Sequence, residues 1–494
     1  MYSIDYDKMK PAERVAKEAN RHSNVGCAIP DTIAMNMVEL IDSSWFIPKP
    51  SELNGNKLLL DEYANNHRVL DICCNSGILL YWFLQRFRTY LERYAKTSFN
   101  NSEDELCEYI IKNLLYGVSI NLTICQIIRS MLYNNRDVYG NIYNYDVLNA
   151  THHADSDEFE IRGSDVYIYD RSKGEKVPMK FDVVCGNPPY NDDIYLDFVM
   201  LGHRLAKTYD LWITPDGWRT KDRGKNAVFR QTLFSSIYKL NLQSSKDIFP
   251  EIAEINIDYY LLDKLTHNDK IVNGIPLKNV EPMQSFDAKV YAITDKVRYS
   301  KGFSSVLDNI RLRPERFLRV TIPDFQHLKD SDIDEMSRYV LSDSKQSIKI
   351  SSDAVKPTAR PDCYSLCSGA WINPNIFCTI KEPYNLETGT SITLYLGTKS
   401  ECESAKTYYE SRFIWFLVYG IFGKNAQHTR YYKFVPDPGS FDKVYEDRPL
   451  EGYTPDKSGV YTDNNGVVHC SLYTKYKLTD EEINIIESTI RERK

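Results

Sequence analysis

The sequence predicts an α/β fold built on a parallel sheet, followed by a second domain of mixed α+β character. Three observations carry this. The run Phe181-Asp182-Val183-Val184-Cys185 is apolar and β-branched, the pattern of a strand buried on both faces. From His67 to Leu80 the chain reads as strand, small-residue turn and helix, and Leu79, Phe83, Phe87, Tyr90, Leu91 and Tyr94 keep one apolar face. From about Asp263 the alternation of strands and helices stops, giving way to polar segments with prolines, many tyrosines and no regular period.

A chain of 494 residues is long enough for two or three domains with sizeable cores. With 42% hydrophobic and 26% charged residues it has the composition of a soluble globular protein. The net charge of −7 excludes a uniformly basic nucleic-acid binder, so any such affinity must come from local patches. The 11 cysteines are scattered without paired metal spacings, and no signal peptide precedes them. Free thiols in a reducing cytoplasm, and no metal site, are the expectation. No apolar run approaches the roughly 20 residues that span a bilayer.

Residues 1–28 form a polar lead-in. Pro30 then feeds an amphipathic helix through Ile33, Met37, Leu40 and Ile41. Val69 to Ile72 reads as the first strand, and Cys73 to Gly77 as a tight turn opening the long helix. Such a turn lets backbone approach a ligand closely and points helix amides at an anion. Leu115 to Asn121 reads as the second strand, preceding a helix with Ile124, Ile127, Ile128 and Met131. Asn141 to Leu148 reads as the third, ending in Asp146, for which a solvated strand-end acid is the plain alternative. Thr151 to Lys180 is a charged insertion, with a hairpin expected at Val166 to Tyr169. Its His152 and His153 read as surface.

The Phe181–Cys185 strand ends in Gly186-Asn187-Pro188-Pro189-Tyr190. Two successive prolines donate no backbone hydrogen bond and fix φ, so the chain leaves the sheet in a stiff turn. The Asn187 side-chain oxygen can accept one N–H and the Pro188 carbonyl a second, while Tyr190 can lie against an aromatic ring. These are the parts needed to handle a ring-borne amino group. Tyr195 to Leu205 reads as a helix, and Asp210 to Pro215 as another strand. Arg219, Lys221, Arg223, Lys225 and Arg230 cluster beyond it, either as a phosphate-contacting patch or as a solvated loop. Ile255 to Leu262 reads as a strand, Ser391 to Leu396 as another, Phe413 to Tyr419 as a core element, and Leu478 to Glu482 as the start of a closing helix.

Asn187-Pro188-Pro189-Tyr190 resembles the catalytic motif of S-adenosylmethionine-dependent amino-methyltransferases, most often those acting on adenine N6 in DNA; protein glutamine methyltransferases share it. The order of cofactor turn, acidic strand ends and this tetrapeptide, ahead of a large C-terminal domain, resembles the gamma class of DNA adenine methyltransferases. Residues 427–436 and the closing helix resemble the tail of Eco57I-like restriction-modification methylases. The resemblance implies a Rossmann-like class I S-adenosylmethionine-dependent methyltransferase domain at 29–265 and a DNA target-recognition domain at 266–494. It implies methyl transfer to adenine N6 in double-stranded DNA by base flipping, with Phe249 walling the extruded base. It places Pro30, Asp71, Cys73, Asn75, Gly77, Ser119, Asn121, Asp146 and Asn187 around the cofactor. Gln427, His428 and Arg430 are the implied readers of DNA sequence. Three positions depart from the family: Ile72 stands where a proline is usual, Asn75 where a glycine is usual, and Ser119 or Asn121 where an acid holds the ribose. Cys73, Cys74 and Cys185 read as small packing residues rather than nucleophiles. An RNA adenine or protein glutamine methyltransferase, or a catalytically impaired DNA-binding relative, is the alternative. No nuclease is expected in the same chain, which leaves room for a separate restriction endonuclease as partner.

Overall fold

The computed structural model describes residues 29–55, 57–133, 141–149, 158–220, 224–243, 257–265, 267, 269–278, 288–306, 340–342, 347–349, 364–368, 378–381, 392–397, 399–420 and 434–490. Two compact units divide the chain, Met1–Pro282 and Met283–Lys494.

In the first unit, after a short hairpin of Leu53–Asn54 with Lys57–Leu58, the large sheet begins with strands β1 (Val69–Asp71), β2 (Leu115–Ser119) and β3 (Ile142–Asn144). Strands β4 (Phe159–Arg162), β5 (Asp165–Asp170) and β6 (Glu175–Met179) form a separate antiparallel meander. Then follow β7 (Phe181–Gly186), β8 (Ala206–Pro215), β9 (Ile237–Gln243), β10 (Ile257–Asp263), β11 (Lys270–Val272) and β12 (Ile275–Leu277). The large sheet has nine strands in the order β12-β11-β9-β10-β8-β7-β1-β2-β3. From β3 to β8 neighbours run parallel, whereas β10 is antiparallel to both β8 and β9. Counted along the chain without the meander, strands up to β10 lie in the order 3-2-1-4-5-7-6 with the seventh reversed. This is the Rossmann-like sheet of the class I S-adenosylmethionine-dependent methyltransferase fold.

The longer helices of this unit are α1 (Asp31–Glu39), α2 (Leu60–Asn66), α3 (Ile78–Ala95), α4 (Glu103–Asn113), α5 (Leu122–Tyr133), α6 (Tyr195–Leu205) and α7 (Gly224–Leu233). Strand periodicity decides which helix meets which face. Val183, Cys185, Leu211 and Ile213 join one apolar cluster with Met37 and Val38 of α1 and Leu79, Phe83 and Phe87 of α3. Val184 and Trp212 point the other way and meet α6, where a β-carbon on Gly202 would stand 2.2 Å from the Trp212 ring. Only glycine lets α6 lie this close. A Trp82 indole N–H donates to Asp31 Oδ1 at 2.9 Å and ties α1 to α3.

Several elements differ from the sequence expectation. The insertion makes three strands rather than one hairpin, because Gly163 and Gly174 both supply the positive φ of a tight reversal. Its Phe159 stacks on Tyr143 at 5.1 Å and meets Tyr145 edge-on at 5.2 Å, bracing the end of β3. Strand β2 stops at Ser119 and β3 at Asn144, so Asn121 and Asp146 lie in the turns beyond them. The sheet continues past Leu265 into the β11–β12 hairpin.

The second unit is mixed α+β. It holds a three-stranded antiparallel sheet (Tyr364–Ser368, Cys378–Lys381, Ile392–Gly397) and a second three-stranded sheet (Val444–Glu446, Val460–Thr462, Val468–Ser471). Lys399–Tyr409 is helical, and its Tyr408 and Tyr409 pack on Phe441. The Phe413 segment is helical, Arg412–Trp415 running into a wider turn at Phe416–Gly420. Helix Asp480–Thr489 opens with a capping box between Thr479 and Glu482. No helix among the described residues is long and apolar enough to cross a membrane.

Candidate active site

Between β1 and β7 the strand order reverses, and the loops leaving their carboxyl ends part around a crevice. A cleft of about 800 Å³ lies there. It brings together seven of the residues singled out from the sequence: Cys73, Asn75, Ser119, Asn121, Asp146, Asn187 and Pro189.

The floor comes from the turn after β1. Ile72 N–H donates to the Cys185 carbonyl at 3.1 Å and Cys74 N–H to the Val118 carbonyl at 2.9 Å, so the turn hangs from both neighbouring strands. Gly77 then takes φ +73° and starts α3, and a β-carbon there would press on Ile128 of α5 at 3.0 Å. Asn75 Oδ1 is buried and has no hydrogen-bond partner among the described residues. Asp71 does not line the cleft; it lies beneath the turn and its Oδ1 accepts from Cys73 N–H at 3.1 Å. Burial pushes its carboxyl up to about 7, against that hydrogen bond. Burial, with Asp71 nearby, also raises the thiols of Cys73, Cys74 and Cys185 well above the usual range. Cys74 and Cys185 are buried, while Cys73 is half-buried and lines the cleft.

Asn187 leaves the end of β7 almost fully buried. No donor among the described residues reaches the Pro188 carbonyl. Gly186 is required just before: a β-carbon there would stand 2.2 Å from Cys73 Sγ, 3.2 Å from the Trp212 ring and 3.4 Å from Asp71 Oδ1. Tyr190 is held differently from the sequence expectation. It does not line the cleft; its ring packs against the core and its hydroxyl donates to Asn187 Oδ1 at 2.8 Å.

The opposite wall comes from the turns after β2 and β3. Asn121 Oδ1 accepts from Thr123 N–H at 2.9 Å and Ile124 N–H at 3.3 Å and so caps α5. Ser119 Oγ accepts from Asn121 N–H at 3.2 Å. Asp146 is drawn into its own turn, accepting from Leu148 and Asn149 N–H, both at 3.1 Å, and from Asn149 Nδ2 at 2.9 Å. Sequence reasoning missed Ile120, Leu122, Tyr145, Asn149, Ile194 and Phe198, which also line the cleft. Ile120 is 58% exposed and Leu122 40%, an apolar pair flanking a polar residue just outside a strand. That placement was the available signal. No lysine or arginine lines the cleft among the described residues.

The remaining predicted residues divide in two. Pro30 is not part of the lining; its carbonyl accepts from Ile33 and Ala34 N–H, both at 3.0 Å, and starts α1. Arg219 is a correction. Instead of standing on an exposed loop, its guanidinium is buried and grips the equally buried Asp258, because β10 runs back beside β8 and brings that acid to it. Lys225 is exposed and paired with Asp197. Lys221, Arg223, Phe249, Gln427, His428 and Arg430 lie outside the described residues, as do His152 and His153.

No family model matches the chain, and no curated protein matches it. Among solved structures it is similar to the type I restriction-modification methyltransferase subunit from Streptococcus thermophilus, at 14% identity and a TM-score of 0.31, over 52% of this chain and 49% of that one. It is also similar to a DrdV–DNA complex, at 11% identity and a TM-score of 0.36, over 74% of this chain and 48% of that one. A third is the Type ISP restriction-modification enzyme LlaBIII bound to DNA, at 14% identity and a TM-score of 0.33, over 52% of this chain and 20% of that one. The chain thus spans half or less of each of these three proteins. At these values the likenesses carry no weight of their own, and the fold assignment rests on the strand order.

Proposed function

We propose that this chain is a site-specific DNA methyltransferase of the gamma, Eco57I-like kind, transferring a methyl group from S-adenosylmethionine to the N6 amine of adenine in double-stranded DNA. One observation carries the reading. Asn187 and the Pro188 carbonyl stand at the carboxyl end of β7, at the reversal point of the sheet and beside the cleft.

The cleft suits this cofactor on its own chemistry. Among the described residues the lining holds no lysine or arginine and does hold Asp146, which suits a nucleoside carrying a positive centre. The unpartnered Asn75 Oδ1 offers an acceptor to an N–H of the amino-acid end. Asn121, Ser119 and Asn149 line the cleft and would offer the nucleoside neutral hydrogen-bonding groups. When bound, the cofactor supplies an electrophilic methyl on sulfur. The protein's part is positional: two acceptors take the amine hydrogens out of the ring plane, so the nitrogen lone pair is no longer held in conjugation. A base inside a duplex cannot reach a strand-edge cleft, so the adenine must be extruded, with Phe249 as an outer wall. Residues 29–265 would hold the catalytic domain and 266–494 the target-recognition domain. Lys221, Arg223 and Lys225 would contact phosphates, and Gln427, His428 and Arg430 the bases.

Radiolabelled methyl transfer to adenine-containing duplexes, with Asn187→Ala as control, tests the reading. Label on DNA that disappears with the variant supports it; label on RNA or protein alone overturns the substrate. A second reading, a DNA-binding relative with little catalysis, is favoured by Asn121 Oδ1 being spent on the helix cap with no carboxylate in its place. Calorimetric titration with S-adenosylmethionine separates the two, since that relative binds DNA whether or not the cofactor is present.

A further inference from the structure

The acceptor assigned to the substrate amine is already in use. Asn187 Oδ1 takes the Tyr190 hydroxyl at 2.8 Å, while the Tyr190 ring packs against the core instead of facing the cleft. The chain immediately beyond is strained. Asp192 and Asp193 stand at φ +53° and +57°, a left-handed region that two successive residues with β-carbons seldom share. The arrangement is pinned from another helix, where the buried Asn226 of α7 donates through Nδ2 to Asp193 Oδ2 at 2.8 Å.

Resting on the methyltransferase reading, we propose that Tyr190 is a specificity residue whose hydroxyl holds the place of the substrate N–H on Asn187, and that the incoming amine displaces it. Asn187 is nearly fully buried, so its oxygen without a donor carries a desolvation penalty. A hydroxyl and an amine offer the same kind of donor, so exchanging one for the other keeps the oxygen satisfied. A ring that brings a carbonyl or a bare C–H to this point cannot make the exchange. Leaving Asn187 also frees the Tyr190 ring from the core, so recognition of the amine and stacking on the base become one event.

The test uses the full chain with duplex DNA containing the methylated site. Tyr190→Phe keeps the ring and removes the competing donor. Its KM and Kd for DNA are expected to fall about three- to tenfold, the net worth of one hydrogen bond. An unchanged or higher KM with a lower kcat overturns the inference, because the hydroxyl would then orient Asn187 rather than occupy it. Should the variant not fold, the wild-type chain decides. Replacing the target adenine by purine, which lacks the amine, is expected to weaken binding about tenfold, and equal binding overturns the proposal. Failure of the underlying reading looks different: no transfer by the wild-type chain, or transfer that survives Asn187→Ala.

Discussion

The Arg219 guanidinium grips the Asp258 carboxylate twice, Nε to Oδ2 at 2.6 Å and Nη2 to Oδ1 at 3.1 Å, with both side chains closed off from water. Asp216 stands 3.6 Å away on the same guanidinium. Burial raises the Asp258 carboxyl to about 6, and the guanidinium opposes that rise. The pair fastens the turn after β8 to β10. Arg219→Ala is expected to destabilise the first unit by roughly 3–5 kcal/mol, because it strands a buried carboxylate. Replacing both partners, Arg219→Met with Asp258→Leu, should recover most of that loss. Urea melts of the two variants beside the wild type check this. A fall in DNA affinity with unchanged stability would return Arg219 to the phosphate-contact role.

Asp71 predicts a pH dependence of stability. Its folded carboxyl is raised to about 7 from an ordinary value of 3.8, so between those pH values the folded chain keeps a proton that the unfolded chain has lost. Stability from this group is therefore full below pH 4 and falls as pH rises towards 7, by on the order of 3 kcal/mol. Asp71→Asn keeps an acceptor for Cys73 N–H and removes the titration. Its melting temperature should exceed the wild type at pH 8 and converge with it at pH 4. A wild-type excess at pH 8 would mean that the carboxylate is ionised and held by something else.

Gly186 and Cys73 should behave as one unit. A methyl at 186 meets Cys73 Sγ at 2.2 Å, so Gly186→Ala must shift the turn that carries Asn187. The expected cost is about 1–3 kcal/mol. Cys73→Ala in the same chain should restore part of it, leaving the Trp212 contact as residue. A double-mutant cycle with no coupling would show that the turn moves as a whole.

Asn75 should act with opposite signs on the empty and the loaded site. Its Oδ1 is buried without a partner, so Asn75→Ala relieves an unsatisfied acceptor and should leave thermal stability unchanged or slightly raised. The same change removes an acceptor for the cofactor, and S-adenosylhomocysteine affinity should drop about tenfold, the worth of a hydrogen bond to a charged group. Calorimetry beside thermal melts reads both. Equal affinity would place the amino-acid end of the ligand elsewhere.

What contiguous residues can encode was legible in the chain. The β-branched run before Gly186, the paired prolines, the small-residue turn after Asp71 and the apolar face of α3 each follow from local conformational preference and periodicity, and by themselves they put Asn187 at a strand end. Tertiary structure decided which side chains remain available there. Arg219 is withdrawn from the surface by an acid 39 positions away in sequence that the reversed strand brings beside it. Asn121 caps α5 and Asp146 closes its own turn because both strands stop earlier than their apolar runs suggest. Tyr190 turns to Asn187 and the core rather than to the cleft. Local sequence sets backbone shape, since sterics act between neighbours; the partner of a polar side chain is set by strand order, since burial leaves it only what the adjacent strand presents.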